Sequence, residues 1–219
     1  MSKYSLAVFD VDGTLLDTTE GVLASVKYTV KHFGFTEPPY ESLIGFIGPP
    51  IQDSFAKTYG LSGDILQEIA TVFRNRYKDV DLLKAVPYPG IFELFGELSE
   101  SNIQPAIATY KREDYALAIL KHFGFDKFTS IMFGGDHENK LKKRDIILKC
   151  IEAAGITDMS RVIMIGDTMN DAAGAKSLGV DFAAVTYGFG FKDRQELESI
   201  GKVCIAHLVK DLSDFFKEN

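Results

Sequence analysis

Cysteine is scarce in this chain. Cys150 and Cys204 are the only two in 219 residues, too few for a disulfide framework and without the close spacing of a thiolate metal site. Basic charge is also in deficit: 24 Lys and Arg against 31 Asp and Glu leave a net charge of −7. That balance argues against a surface that tracks nucleic-acid phosphates and against polybasic attachment to a membrane. Long apolar runs are missing as well. Leu6–Phe9, Val162–Ile165 and Phe182–Val185 are short, far from the ~20 residues that cross a bilayer. Residues 1–4 pass straight into the first of these runs, which meets Asp10. The expectation is therefore a chain with no secretory signal and a cytoplasmic setting.

What is present is an alternation of short β-rich runs with helical stretches, the pattern of an α/β protein with a parallel sheet. Strands are expected at Leu6–Phe9, Ala106–Ala108, Ile131–Phe133, Val162–Ile165, Phe182–Val185 and Val203–Ala206. Several are apolar throughout, as befits a sheet covered on both faces. Helices fit at Ile91–Ser101, Asp114–Phe123, Arg144–Ala154 and Asp171–Leu178, and Gly124, Gly155 and Gly179 suit left-handed stops after the last three. Residues 17–85 break the alternation and carry only helical patterning. Val22, Val26, Val30 and Phe33 mark one stripe, Asp17 with Glu20 could cap that helix, and further helices fit Asp53–Tyr59 and Asp64–Val80. The expected architecture is a Rossmann-like parallel sheet core (1–16 and 86–219) flanked by helices. A small all-helical cap (17–85) is inserted after the first strand. Lys-His-Phe-Gly-Phe occurs at 31–35 and again at 121–125, in differing flanks, and reads as two similar helix endings.

The most informative stretch is Val8-Phe9-Asp10-Val11-Asp12-Gly13-Thr14-Leu15. A buried strand runs into two aspartates at i and i+2 with a glycine turn behind them, and open α/β sheets bind ligands beyond the carboxyl ends of their strands. The run Val162–Ile165 ends likewise, in Gly166-Asp167-Thr168-Met169-Asn170-Asp171. Asp167 and Asp171 stand four apart, so a helix starting there turns both to one side. Carboxylates from two strand ends repel one another unless a cation joins them. An all-oxygen set suits Mg2+ completed by water and a substrate phosphate. The plainer account of the second pair is that acidic residues favour helix N-termini. Thr109, in Ile107-Ala108-Thr109-Tyr110-Lys111, ends a third strand with a hydroxyl able to donate to a phosphate oxygen. The run Lys140-Leu141-Lys142-Lys143-Arg144 precedes a helix and offers the fixed positive charge that an anionic substrate needs.

Asp10-x-Asp12-Gly-Thr, Thr109, a lysine before a helix and Gly166-Asp167-x-x-x-Asp171 follow in order. They resemble the four motifs of the haloacid dehalogenase-like hydrolase superfamily, over essentially the whole chain. The helical insertion resembles the subgroup whose cap follows the first strand. Phe46-Ile47-Gly48-Pro49-Pro50 and Pro87-Tyr88-Pro89-Gly90 are similar to members that are phosphoglycolate phosphatases or 5′-nucleotidases. The resemblance implies a Mg2+-dependent phosphatase acting on a small phosphorylated metabolite. Asp10 would be the nucleophile that forms an aspartyl-phosphate, and an ordinary carboxylate is ionised at neutral pH without help from a base. Asp12 would serve as general acid and then base. Thr109 and Lys143 would hold the phosphate, with Lys140 and Lys142 as the other candidate lysines. Asp10, Asp12 and Asp167 would hold the metal, supported by Asp171 and Gly166. Gly45–Pro50, with Phe46, Ile47, Gly48 and Pro49, is the expected specificity loop of a cap that closes over the site. One residue departs from the pattern: relatives usually carry a small or amide residue after the motif-two hydroxyl, and here it is Tyr110.

A sugar-phosphate mutase would use the same aspartyl-phosphate and return it to the sugar. A receiver-like signalling module would store it on Asp10, but receivers lack both the helical insertion and the late Gly-Asp-x-x-x-Asp.

Overall fold

The computed structural model describes residues 2–191 and 194–219. It divides into two compact units, Met1–Asp17 with Pro87–Asn219, and Thr18–Val86. The strands are β1 (Leu6–Phe9), β2 (Leu16–Asp17), β3 (Val86–Pro87), β4 (Gln104–Arg112), β5 (Met132–Gly135), β6 (Val162–Gly166), β7 (Asp181–Val185) and β8 (Cys204–Ala206). Of the helices, α1 (Thr19–His32), α2 (Tyr40–Ile44), α3 (Ile51–Tyr59) and α4 (Ile65–Arg76) form the second unit. The first unit holds α5 (Ile91–Glu100), α6 (Glu113–Phe123), α7 (Lys143–Ala153), α8 (Met169–Leu178), α9 (Arg194–Ser199) and α10 (Val209–Glu218). Among the described residues no helix is long and apolar enough to cross a membrane.

The first unit is the expected α/β fold. Its six strands are parallel in the order β5-β4-β1-β6-β7-β8. Side chains alternate across the sheet with period two. Leu6, Val8, Ala106, Ala108, Val162 and Met164 meet Ile146, Ile147 and Cys150 of α7 on one side. On the other, Phe9 packs against Phe95 of α5, ring centroids 5.0 Å apart. Cys150 is fully buried, its thiol donating to the Ile107 carbonyl at 3.3 Å. Phe9 is level with Ile107 of β4 and with Ile165 of β6. Asp10 after β1, the residues just past Ile107 within β4 and Asp167 after β6 therefore reach one sheet edge together.

Two expectations are corrected. β4 extends to Arg112 rather than stopping at Ala108; its pairing with β5 shifts register between Ala108 and Arg112, and such a bulge lets polar residues continue an extended chain. The first helix of the second unit is not capped by Asp17. Asp17 lies in β2, and Thr18 occupies the cap position without a side-chain cap bond.

The second unit is helical, as its patterning implies, and Val22, Val26 and Val30 of α1 are buried. Its fourth helix gives way at Arg76 to a π-helical turn, Tyr77–Asp81. Asp81 is wholly buried there, accepting from Ser25 Oγ at 3.0 Å and Arg76 Nε at 2.8 Å and pairing with Lys84 at 2.9 Å. The chain leaves and rejoins the first unit through the two-stranded ribbon of β2 with β3. Both Lys-His-Phe-Gly-Phe segments end helices, α1 at His32 and α6 at Phe123.

Candidate active site

Asp10 follows β1, its N–H donating to the Ile165 carbonyl at 3.0 Å. Asp167 follows β6, and Asp171 opens α8. The three carboxylates come together: one oxygen from each lies within 4.8 Å of the other two, and all three residues are buried. Local chain geometry leaves no slack around them. A methyl group at Gly166 would strike the Asp171 carboxylate, and one at Gly13 would strike that of Asp167. Gly13 also has φ +77°, a backbone region that side chains other than glycine avoid.

Each carboxylate is held by a specific partner. Asp167 Oδ2 accepts the N–H groups of Phe189 and Gly190 at 2.7 and 3.1 Å. Asp171 Oδ2 accepts the Thr168 N–H at 3.0 Å and its hydroxyl at 2.6 Å, closing a capping box at the start of α8. Lys143, the first residue of α7, is 2% exposed. Its ammonium is 2.7 Å from Asp10 Oδ1 and 2.8 Å from Asp171 Oδ1, and it donates to the Ala108 carbonyl at 3.0 Å. Asp167 Oδ1 is buried with no hydrogen-bond partner among the described residues. An orphaned carboxylate oxygen on a residue of this three-carboxylate cluster, all hard donors, fits a divalent cation such as Mg2+.

The electrostatics agree. Burial pushes the Asp10 carboxyl up to about 7, against the pull of Lys143, with Asp171 and Asp12 adding to the rise. Asp167 is raised well above the usual range by burial, then by Asp171 and Asp10, although two backbone N–H groups oppose this. Lys143 stays above its ordinary value: burial pulls it down, but Asp10 and Asp171 outweigh burial. Burial first, then neighbouring carboxylates, disfavour the charged forms of Asp10 and Asp167, and a metal ion would offset both.

The sequence-predicted residues fall as follows. Asp10, Asp167, Asp171, Gly166 and Lys143 converge. Thr109 is buried; its Oγ1 accepts the Lys111 N–H at 3.1 Å, which leaves the hydroxyl proton available to donate. Asp12, expected among the metal ligands, is buried, but its carboxylate pairs with Lys111 Nζ at 3.1 Å and is not one of the converging three. Lys140 is exposed and pairs with Glu138, and Lys142 is exposed. Phe46 and Ile47 of the cap loop are buried, Phe46 edge-on to Phe55 at 5.1 Å. Two further contributors lie outside the sequence motifs. Lys111 stands two residues beyond Thr109 on an extended strand, hence on the same face, and that spacing was the available signal. The loop bearing Phe189 and Gly190 is marked only by alternating glycines, which are weak evidence alone.

A family model for haloacid dehalogenase-like hydrolases matches residues 7–185. A 5′-nucleotidase of Pseudomonas aeruginosa is 33% identical over 192 residues, 87% of this chain and 86% of that protein. A phosphoglycolate phosphatase of Agrobacterium fabrum is 32% identical over 200 residues, 88% of this chain and 85% of the other. Among solved structures, a predicted phosphatase from Clostridium acetobutylicum superposes with a TM-score of 0.92 at 31% identity, covering 100% of both chains. The chain belongs to the haloacid dehalogenase-like hydrolases. It is an enzyme of that family, with the family's fold.

Proposed function

We propose that this hydrolase is a phosphatase that cleaves small phosphomonoesters, of the phosphoglycolate or nucleoside 5′-monophosphate class, through an aspartyl-phosphate on Asp10. The phosphatase reading is supported by the relatives' names. The observation that carries the mechanism is the buried contact of Lys143 with Asp10 at 2.7 Å, beside the Asp167 and Asp171 carboxylates. Asp10 attacks phosphorus as a carboxylate, and the neighbouring ammonium favours that ionised form. Asp12, oriented by Lys111, protonates the departing alkoxide and then takes a proton from the water that hydrolyses the aspartyl-phosphate. The Thr109 hydroxyl and Lys143 ammonium hold phosphoryl oxygens. Asp10, Asp167 and Asp171 are the side chains that would hold Mg2+, which when bound neutralises charge on the transferring phosphoryl group. Phe46, Ile47, Gly48 and Pro49 are proposed to choose among substrates.

The test is a phosphate-release screen over phosphoglycolate, nucleoside 5′-monophosphates and sugar phosphates, with and without Mg2+. Turnover of one of the first two classes, strictly dependent on the metal, is expected. Release that persists in excess chelator, or isomerised sugar phosphate without free phosphate, would refute the reading.

A further inference from the structure

The departure at residue 110 has a structural counterpart. Helix α7 begins with a defect: Lys142 stands at its cap position, and a lysine side chain has no acceptor atom. The first N–H groups of a helix lack partners within it, so the Lys143 N–H has to be satisfied from elsewhere. Tyr110, within the stretch of β4 where its pairing with β5 shifts register, supplies the acceptor. Its phenol oxygen takes the Lys143 N–H at 2.9 Å. The same ring lies 5.5 Å from the Lys143 ammonium, within the range at which a cation is drawn to an aromatic face. One side chain thus touches Lys143 at both ends, backbone and ammonium. An amide or small side chain at this position could not offer the ring.

We propose that Tyr110 is a positioning residue for Lys143, fixing where the ammonium stands between Asp10 and Asp171 by capping α7 and flanking the charge. Its immediate neighbours on β4 do other work: Thr109 and Lys111 turn to the opposite side, where Lys111 meets Asp12. The alternation of side chains along β4 therefore splits consecutive residues between the two charged arms of the site. The consequence for phosphate binding rests on the reading of Lys143 given above.

The experiment uses Tyr110→Phe, which keeps the ring and removes the acceptor, and Tyr110→Leu, which removes both. Two readouts separate the alternatives. In proton–nitrogen spectra of the full-length protein without substrate, Tyr110→Phe is expected to shift both the Lys143 amide and its side-chain ammonium signal. Tyr110→Leu is expected to move the ammonium further. If only the amide moves in both variants, Tyr110 is a helix cap and the proposal is overturned. The second readout is the inhibition constant of orthophosphate with Mg2+ present, which does not depend on how much of the enzyme is folded. It is expected to rise about tenfold in Tyr110→Phe, the equivalent of one lost hydrogen bond. In a Lys143→Ala background the same substitution should change nothing further. An additive effect in that background would also overturn the proposal. An ammonium that moves while orthophosphate binding does not would uphold the positioning role and refute the assignment of Lys143 to phosphate.

Discussion

The carboxylate of Asp171 serves two neighbours at once: Oδ2 caps its own helix through Thr168, and Oδ1 lies 2.8 Å from Lys143. The sequence allows two accounts of this residue, a helix-start preference and a site carboxylate; Oδ2 makes the cap of the first, and Oδ1 makes the ion pair on which the second is proposed. Asp10 shows the opposite limit of residue-level reading. Its position after an apolar strand was legible, but its burial was not, and burial is what sets its chemistry. With its carboxyl pushed up to about 7, the metal-free protein holds a proton there below neutrality, and a cation has to displace it. Mg2+ affinity should therefore rise from about pH 6 to about pH 8 and then level off, with proton release near pH 7; Asp10→Asn should weaken that dependence, and the raised Asp167 carboxyl should retain part of it. Calorimetry in buffers of different protonation enthalpy would check it, and an affinity that is flat or falls with pH would contradict it. The lysines divide as sharply. Lys143→Ala should lower kcat/KM by about a thousandfold, the loss of a transition-state donor, whereas Lys140→Ala, removing an exposed pair with Glu138, should stay within about twofold. Steady-state kinetics with Mg2+ present decides the order.

At the scale of elements, period and composition located the strands and most helices, because local pattern determines them. They failed where tertiary contact overrode the local signal. The polar run Thr109–Arg112 looks like a strand end, yet its backbone stays extended through the register shift with β5. Helix α4 was expected to run to Val80. It changes to a π turn at Tyr77, and the buried Asp81 that the turn presents is paired across to α1 and Lys84. Burial alone would raise the Asp81 carboxyl, but Lys84, Arg76 and Ser25 together hold it below the usual range. A depressed carboxyl stabilises fully above its unfolded value of about 4, and the contribution is lost as pH falls through the folded value. Asp81→Asn should cost about 2 kcal/mol at pH 7, discounted from the buried-pair range because Lys84 is partly exposed. The gap from the unaltered protein should narrow between pH 7 and a pH below the unfolded value of about 4. Urea denaturation at the two pH values measures both numbers, and a gap independent of pH would mean the ion pairs contribute nothing.

For the whole molecule, the sequence revealed a parallel sheet with a helical insertion but not the strand order, which depends on which apolar faces fit together. That order decides the chemistry, since β1 and β6 are neighbours and bring Asp10 level with the approach to Asp167. A cation bound by the residues that follow β1 and β6 and by Asp171 of α8 would link segments distant in the chain, so it should act on global stability. At a hundred times its Kd, Mg2+ should add about 2.7 kcal/mol, raising Tm by about 5–10 °C for a chain of this size. Thermal melting with and without chelator tests this, and Asp167→Asn should abolish the shift.

Cys150 gives the fold an internal clock. Burial pushes its thiol up to about 12, although Lys143 and Lys149 oppose this, so in the native state it is almost never the reactive thiolate. Cys204 lies only half buried. A thiol-specific reagent should label the chain in two phases, Cys204 within the first. The second phase, at Cys150, should follow the rate at which the sheet opens, so a colourimetric titration would report unfolding kinetics without any introduced label.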